Sequence, residues 1–299
     1  MSKKLVSLLL VMLMAFSVTV ALAEVITVTD MFGREITIQG PVKRVVAMEP
    51  ADCEILYALG CGDALVARGL YCDYPEQVLA LPALQSGADT NLEEILALEP
   101  DVVIMNDMAH AKEQVTTLEE CGVKVVTTNA DSIEGVYEAI RLIGAVMSRS
   151  QEAEALVADM QATFDDIAAK AGKSDCTIYF EVMPLQWGLW SAGSGTFMQE
   201  IAELCGMQNA FADISGWQPI SQEQVIGRDP DYIVLVTGMG DTAVDEVLSR
   251  PGWEDVKAVR NGNVYNADSY TMTRPGPRLK DAALALYDFL NGTEAAQAD

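Results

Sequence analysis

The sequence is poor in the residues that metal-dependent and hydrolytic enzymes need. It holds one histidine, His110, so no cluster of imidazoles can be assembled for a bare zinc or manganese ion. Its six cysteines (Cys53, Cys61, Cys72, Cys121, Cys176 and Cys205) form no Cys-x-x-Cys pair, which argues against a zinc ribbon or a thioredoxin-like motif. Several of them read as small buried hydrophobes, although an exported chain permits disulfides whose pairing the sequence leaves open. Neither Gly-x-Ser-x-Gly nor a phosphate loop is present. Positive charge is scarce as well: 19 Lys and Arg face 44 Asp and Glu, a formal net charge of -25 that repels phosphate backbones and argues against nucleic acid as a partner. Beyond the first 23 residues no apolar run is long enough to cross a membrane.

Those first residues have the pattern of a secretory leader. Lys3 and Lys4 precede the uncharged run "LVSLLLVMLMAFSVTV", and "ALA" at 21–23 supplies small residues for cleavage. A signal peptide over 1–23 is expected, with an uncleaved anchor as the alternative. No cysteine lies near the cleavage point, so no lipid anchor is expected, and the mature chain is assigned to the periplasm or another extracytoplasmic space.

In the rest of the chain, "VITVTDMFGREITI" alternates apolar and polar residues about a turn and predicts a β-hairpin. Short β-branched runs at 44–48, 65–70, 102–105 and 123–127 then alternate with helical patterns at 52–59, 92–98, 111–121 and 133–147, the texture of a parallel sheet covered on both faces. From 148 to 171 neither Pro nor Gly interrupts a helical spacing of Ala153, Leu156, Val157, Met160, Phe164 and Ile167. Ser148 and Gln151 suggest a capping box at its start, and Gly172 a stop. The α/β texture resumes in "CTIYFEV", "DYIVLV" and "NVYNA", and ends in the helical "PRLKDAALALYDFL". The predicted organisation is a first α/β lobe at 24–147, a bridging helix at 148–172, a second α/β lobe at 173–290 and a flexible tail at 291–299.

The two lobes repeat one another. "NLEEILALEPDVVI" at 91–104 aligns without a gap to "SQEQVIGRDPDYIV" at 221–234, matching Glu93 with Glu223, Pro100 with Pro230 and Asp101 with Asp231. "EILYALG" at 54–60 is answered in the same order by "EIAELCG" at 200–206. Two related lobes across a linker helix place a ligand cleft between them.

These motifs, taken with "PVKRVVAMEPADCEILYALGCGDALVARGLYCDYP" and "TRPGPRL", resemble the periplasmic substrate-binding proteins of ABC importers for metal chelates, the class of vitamin B12-binding and ferric-siderophore-binding proteins. The resemblance covers nearly all of the mature chain, and the order of the motifs carries it. It implies two Rossmann-like lobes on a rigid backbone helix, modest hinge motion, and a monomer that hands its ligand to the membrane subunits of an importer. It also implies that Glu93 and Glu223 dock into arginine pockets of those subunits. Acids in a first helical turn are common for stability alone; one in each lobe, in repeated context, favours docking.

For the cleft, the resemblance implies aromatic ligand contacts at Tyr71, Trp190 and Trp217, and a cleft-facing Arg274 able to pair with an anionic group of the ligand. Trp187 reads as core packing, Tyr74 as a buttress of its loop, and Arg278 as structural. His110, beside Met108, is a loop histidine. No cofactor and no protein-bound metal are expected. Cobamide and ferric siderophore both fit, with haem as a further candidate, and the three aromatics favour cobamide. The rival readings are an exported α/β enzyme, which lacks a recognisable catalytic constellation, and an exported interaction protein without a small ligand.

Overall fold

The computed structural model describes residues 25–106 and 111–292. The predicted leader, His110 with Met108, and the predicted tail from 293 onward lie outside the described residues. The chain enters through the hairpin β1 (Val25–Thr29) and β2 (Glu35–Gln39), antiparallel as expected. Arg34 clamps it to the first lobe by bonding Asp30, the Val125 carbonyl and the Thr127 hydroxyl.

The first lobe follows as β3 (Val45–Ala47), α1 (Pro50–Ala58), β4 (Leu65–Gly69), β5 (Ala83–Leu84), α2 (Leu92–Ala97), β6 (Val102–Asn106), α3 (Ala111–Glu120), β7 (Lys124–Thr128) and α4 (Ile133–Val146). Each helix and strand named above for this lobe forms to within two residues of its predicted ends. β3 is buried throughout, as are the first four residues of β6, because the sheet is covered on both faces. The sheet is parallel, in the order β5-β4-β3-β6-β7.

The bridging helix is α5 (Ser150–Ala171), 22 residues and so about 33 Å long. It buries Ala153, Val157, Met160, Phe164 and Ile167, the predicted stripe without Leu156, and Gly172 ends it at φ 68°. The capping box expected at Ser148 does not form. Ser148 takes φ 54° in the corner that ends α4, Arg149 donates its N–H to the Gly144 carbonyl at 2.6 Å, and Arg149 becomes the N-cap without a side-chain bond. The serine is spent on the turn between two helices. Gly144 lets them meet, since a Cβ there would lie 2.5 Å from the Cβ of Ala153.

The second lobe runs β8 (Thr177–Glu181), β9 (Trp190–Ala192), α6 (Phe197–Leu204), β10 (Gln208–Asn209), β11 (Trp217–Pro219), α7 (Gln222–Arg228), β12 (Tyr232–Leu235), α8 (Ala243–Leu248), α9 (Lys257–Asn261), β13 (Val264–Asn266), α10 (Ser269–Met272) and α11 (Leu279–Leu290). Its sheet is parallel in the order β10-β8-β12-β13, and β9 pairs with β11 in a separate antiparallel ribbon. One continuous core links both lobes through α5, from Val45 and Ile143 through Met160 and Phe164 to Ile201 and Leu286. No helix among the described residues is long and apolar enough to cross a membrane.

The repeat is structural as well as sequential. β6 and β12 each lie beside the first strand of their lobe's sheet, β3 and β8. Asp101 accepts the Lys43 and Arg44 N–H groups at 2.8 and 2.9 Å, and Asp231 accepts the Thr177 N–H at 2.9 Å, so each ties its strand to the start of that neighbour. Before each proline the chain makes the same left-handed step, Glu99 at φ 46° and Asp229 at φ 48°. A proline disfavours the right-handed helical region in the residue before it, and the left-handed step is one conformation that ends the helix there while leaving room for the ring.

Candidate functional site

A cavity of about 650 Å³ opens between the lobes, walled by the segments that follow the carboxyl ends of the strands, where open α/β sheets place ligands. The first lobe contributes Glu49 and Asp52 after β3, Tyr71 after β4, Asn106 at the end of β6 and Asp131 after β7. From the second lobe come Phe197, Trp217, Tyr270 and Arg274.

The aromatic side chains differ in what holds them. Tyr71 stands in the cleft mouth, 63% exposed. Trp217 leads the β9–β11 ribbon and packs its ring at 5.4 Å from that of Phe197, which leaves one face toward the cavity. Trp190 is paired with Pro219, about 7 Å farther along the same face of the ribbon, and does not line the cavity. Trp187, read from the sequence as core, is 67% exposed on a short turn after Pro184. Its indole meets no core because the chain leaves the sheet at Glu181 before reaching it.

Arg274 lines the cavity, but its guanidinium is already engaged. It donates to Asp73 at 2.5 and 3.1 Å and to the Tyr71 carbonyl at 3.3 Å, lies 3.5 Å from Glu54 and sits over the Tyr270 ring. That bonding holds the Asp73 carboxyl below its ordinary range. Arg278 grips Glu54 with two bonds of 2.9 and 2.6 Å and covers Tyr74 at 3.8 Å, so Tyr74 buttresses its loop. Glu54 and Asp73 belong to the first lobe and both arginines to the second. The cluster therefore fastens one end of the cleft. At another point Glu200 of the second lobe accepts the Ile133 N–H of the first at 2.6 Å, and Phe197 donates to the Asp131 carbonyl at the same distance. The echoed glutamates Glu54 and Glu200 thus both reach across to the opposite lobe.

The cleft carboxylates were not legible as a site in the sequence. Asp52 is 2% exposed and takes a single hydrogen bond, from the Thr128 hydroxyl at 3.2 Å. Burial, then the charge of Glu49, pushes its carboxyl up to about 8 despite the Thr128 bond. Glu49 is the N-cap of α1 yet makes no capping bond, and burial pushes it up to about 7. The available signal was three acids in "MEPADCE" directly after a buried strand.

Glu93 and Glu223 are exposed at equivalent places, the second residue of α2 and of α7. Asn91 caps the first helix by accepting the Glu93 and Glu94 N–H groups, and Ser221 with Gln224 forms a full capping box on the second. The Ser221 hydroxyl, followed by the Glu223 backbone N–H, holds the Glu223 carboxyl below its ordinary range. Among the described residues no group of His, Cys, Asp or Glu is arranged to hold a metal ion, and all six cysteines are free thiols, four of them buried.

A family model described as periplasmic binding protein matches residues 45–271. An uncharacterized ABC transporter substrate-binding lipoprotein of Bacillus subtilis is 31% identical over 85% of this chain and 82% of its own length. A vitamin B12-binding protein of Vibrio campbellii is 28% identical over 81% of this chain and 87% of its own. Among solved structures, a periplasmic heme-binding protein from Roseiflexus superposes with a TM-score of 0.74 at 26% identity, covering 85% of this chain and 100% of that one. The chain belongs to the periplasmic binding protein family, the extracytoplasmic solute-binding components of transport.

Proposed function

We propose that this protein captures a metal chelate in the interlobe cleft and delivers it to an ABC importer, engaging the two membrane subunits through Glu93 and Glu223. The observation that carries the reading is a cavity of about 650 Å³ shared by two lobes, with Tyr71, Tyr270, Trp217 and Phe197 around it. That volume falls in the usual range for small-ligand sites, and flat rings suit a large, partly apolar chelate. The names of similar proteins, vitamin B12-binding, heme-binding and, for a further solved structure, Fe3+-hydroxamate transport, support a cobamide, a ferric siderophore or haem as the cargo. It acts as a monomeric, exported receptor without catalysis.

Calorimetry and tryptophan fluorescence with cyanocobalamin, a ferric trihydroxamate and haem test the first half. One compound should bind, quench fluorescence in a manner lost in Trp217→Phe, and be recovered unchanged; conversion of the compound would point to an enzyme instead. For the second half, the Glu93→Arg, Glu223→Arg double variant should bind ligand as the parent does while failing to stimulate the importer's ATPase in proteoliposomes. Full stimulation by that variant would remove the docking assignment.

A further inference from the structure

The cleft is electrostatically one-sided. Glu49, Asp52 and Asp131 all line it, and among the described residues none of them forms an ion pair. The one cation in the lining among the described residues, Arg274, is matched by Asp73 and Glu54, so a ligand anion would compete with carboxylates already in place. The walls lean the same way, because the faces of Tyr71 and Trp217 carry negative quadrupole potential and attract cations, while that of Tyr270 already holds Arg274.

Helix stabilisation does not account for the acids. An exposed carboxylate in a first turn gains from the helix dipole at little cost, whereas Asp52 is 2% exposed and its desolvation outweighs that gain. Glu49 occupies the N-cap position and leaves the capping bond unmade. A buried carboxylate, Asp52, beside a half-buried one, Glu49, both without a cationic partner and facing a cavity, marks a site whose partner arrives with the ligand.

Resting on the receptor reading above, we infer that Glu49 and Asp52, with Asp131 elsewhere in the same lining, select chelates that are neutral or positively charged and carry N–H or ammonium donors on their rim, and reject anionic chelates. The upward shifts of Glu49 and Asp52 accord with this: the empty cleft favours a proton on the pair where a bound cation would take its place. Charge selectivity then separates cargoes that shape leaves together. Corrinoids with amide rims and amine-bearing or neutral hydroxamates are accepted, while tris-catecholates and other polyanionic chelates are not.

The test uses scaffolds on which charge alone varies. One series is aquacobalamin, cyanocobalamin and sulfitocobalamin, which are cationic, neutral and anionic through the axial ligand. The other is a linear ferric trihydroxamate ending in a free amine, an N-acetyl or an N-succinyl group. Within whichever scaffold binds near neutral pH, affinity should fall from cation to anion by about tenfold or more, as expected for unit charges held several ångströms from a partly desolvated pair. The double variant Glu49→Gln, Asp52→Asn should flatten that order to within about threefold, with circular dichroism and melting showing a fold at least as stable as the parent's. A flat or reversed order in the parent, or an order that survives in the variant, overturns charge selection while leaving the receptor reading intact. Binding of haem but of none of these six overturns charge selection alone, since haem is anionic through its propionates; binding of neither haem nor any of the six overturns the receptor reading, and the inference with it.

Discussion

Asp52 binds its proton more tightly in the folded protein than in the unfolded chain, since its carboxyl rises from 3.8 to about 8 on burial. Its folded pKa is the higher one, so its contribution to stability is complete below the unfolded value and is lost as pH rises toward about 8. Glu49 adds to this over the interval from 4.5 to about 7. The ligand-free protein should therefore melt at lower temperature as pH is raised across this range. Asp52→Asn should remove part of the slope, an effect on the order of a few kcal/mol between its limits, read as the difference between the two melting curves at each pH. A slope unchanged by the substitution would mean that water or a counter-ion reaches the carboxylate. This residue also shows where sequence reading ends. Glu93 and Glu223 stood out because each has a counterpart at a matching place. An acid in a first turn has the same letter whether water surrounds it or a second lobe covers it, so Asp52 and Glu49 could not be told from ordinary helix-start acids.

The elements themselves were largely legible, because buried parallel strands are written as β-branched runs and helices as apolar residues three and four apart. The junction of α4 and α5 was not. Ser148 followed three residues later by Gln151 is a sound local motif, yet the chain uses that serine to turn a corner made possible by Gly144 and Ala153 in contact. Gly144→Ala should lower stability by about 1–3 kcal/mol even though alanine is the better helix former, because its methyl overpacks against Ala153 and the Arg149 carbonyl. Adding Ala153→Gly should restore part of that loss, so that the double variant's urea midpoint lies above that of Gly144→Ala. A midpoint that falls further would place the strain elsewhere in the corner.

Across the whole molecule, the two lobes followed from the repeat and the linker helix from its unbroken apolar spacing, while the ties between lobes did not, since residues as far apart as Glu54 and Arg278 carry no mutual signature in one sequence. Arg274 illustrates the consequence. It lines the cleft, as the resemblance led one to expect, but Asp73 takes its guanidinium. Replacing Glu54 by Ala leaves two largely buried guanidinium groups short of a partner and should cost about 3 kcal/mol. Small-angle scattering of the folded variant should show a larger radius of gyration as the lobes part. A destabilised variant with an unaltered scattering curve would show that the cluster secures the fold without setting the angle between lobes.

The left-handed step, the proline and the strand-tying aspartate that follow α2 and α7 have one more consequence. They fix each outward glutamate to its own sheet like a pin on a rigid jaw, so neither Glu93 nor Glu223 can drift independently of its lobe. The gap between the two pins then depends only on how far the jaws are closed. A membrane partner that grips both would sense an occupied cleft as a length, without touching the cargo.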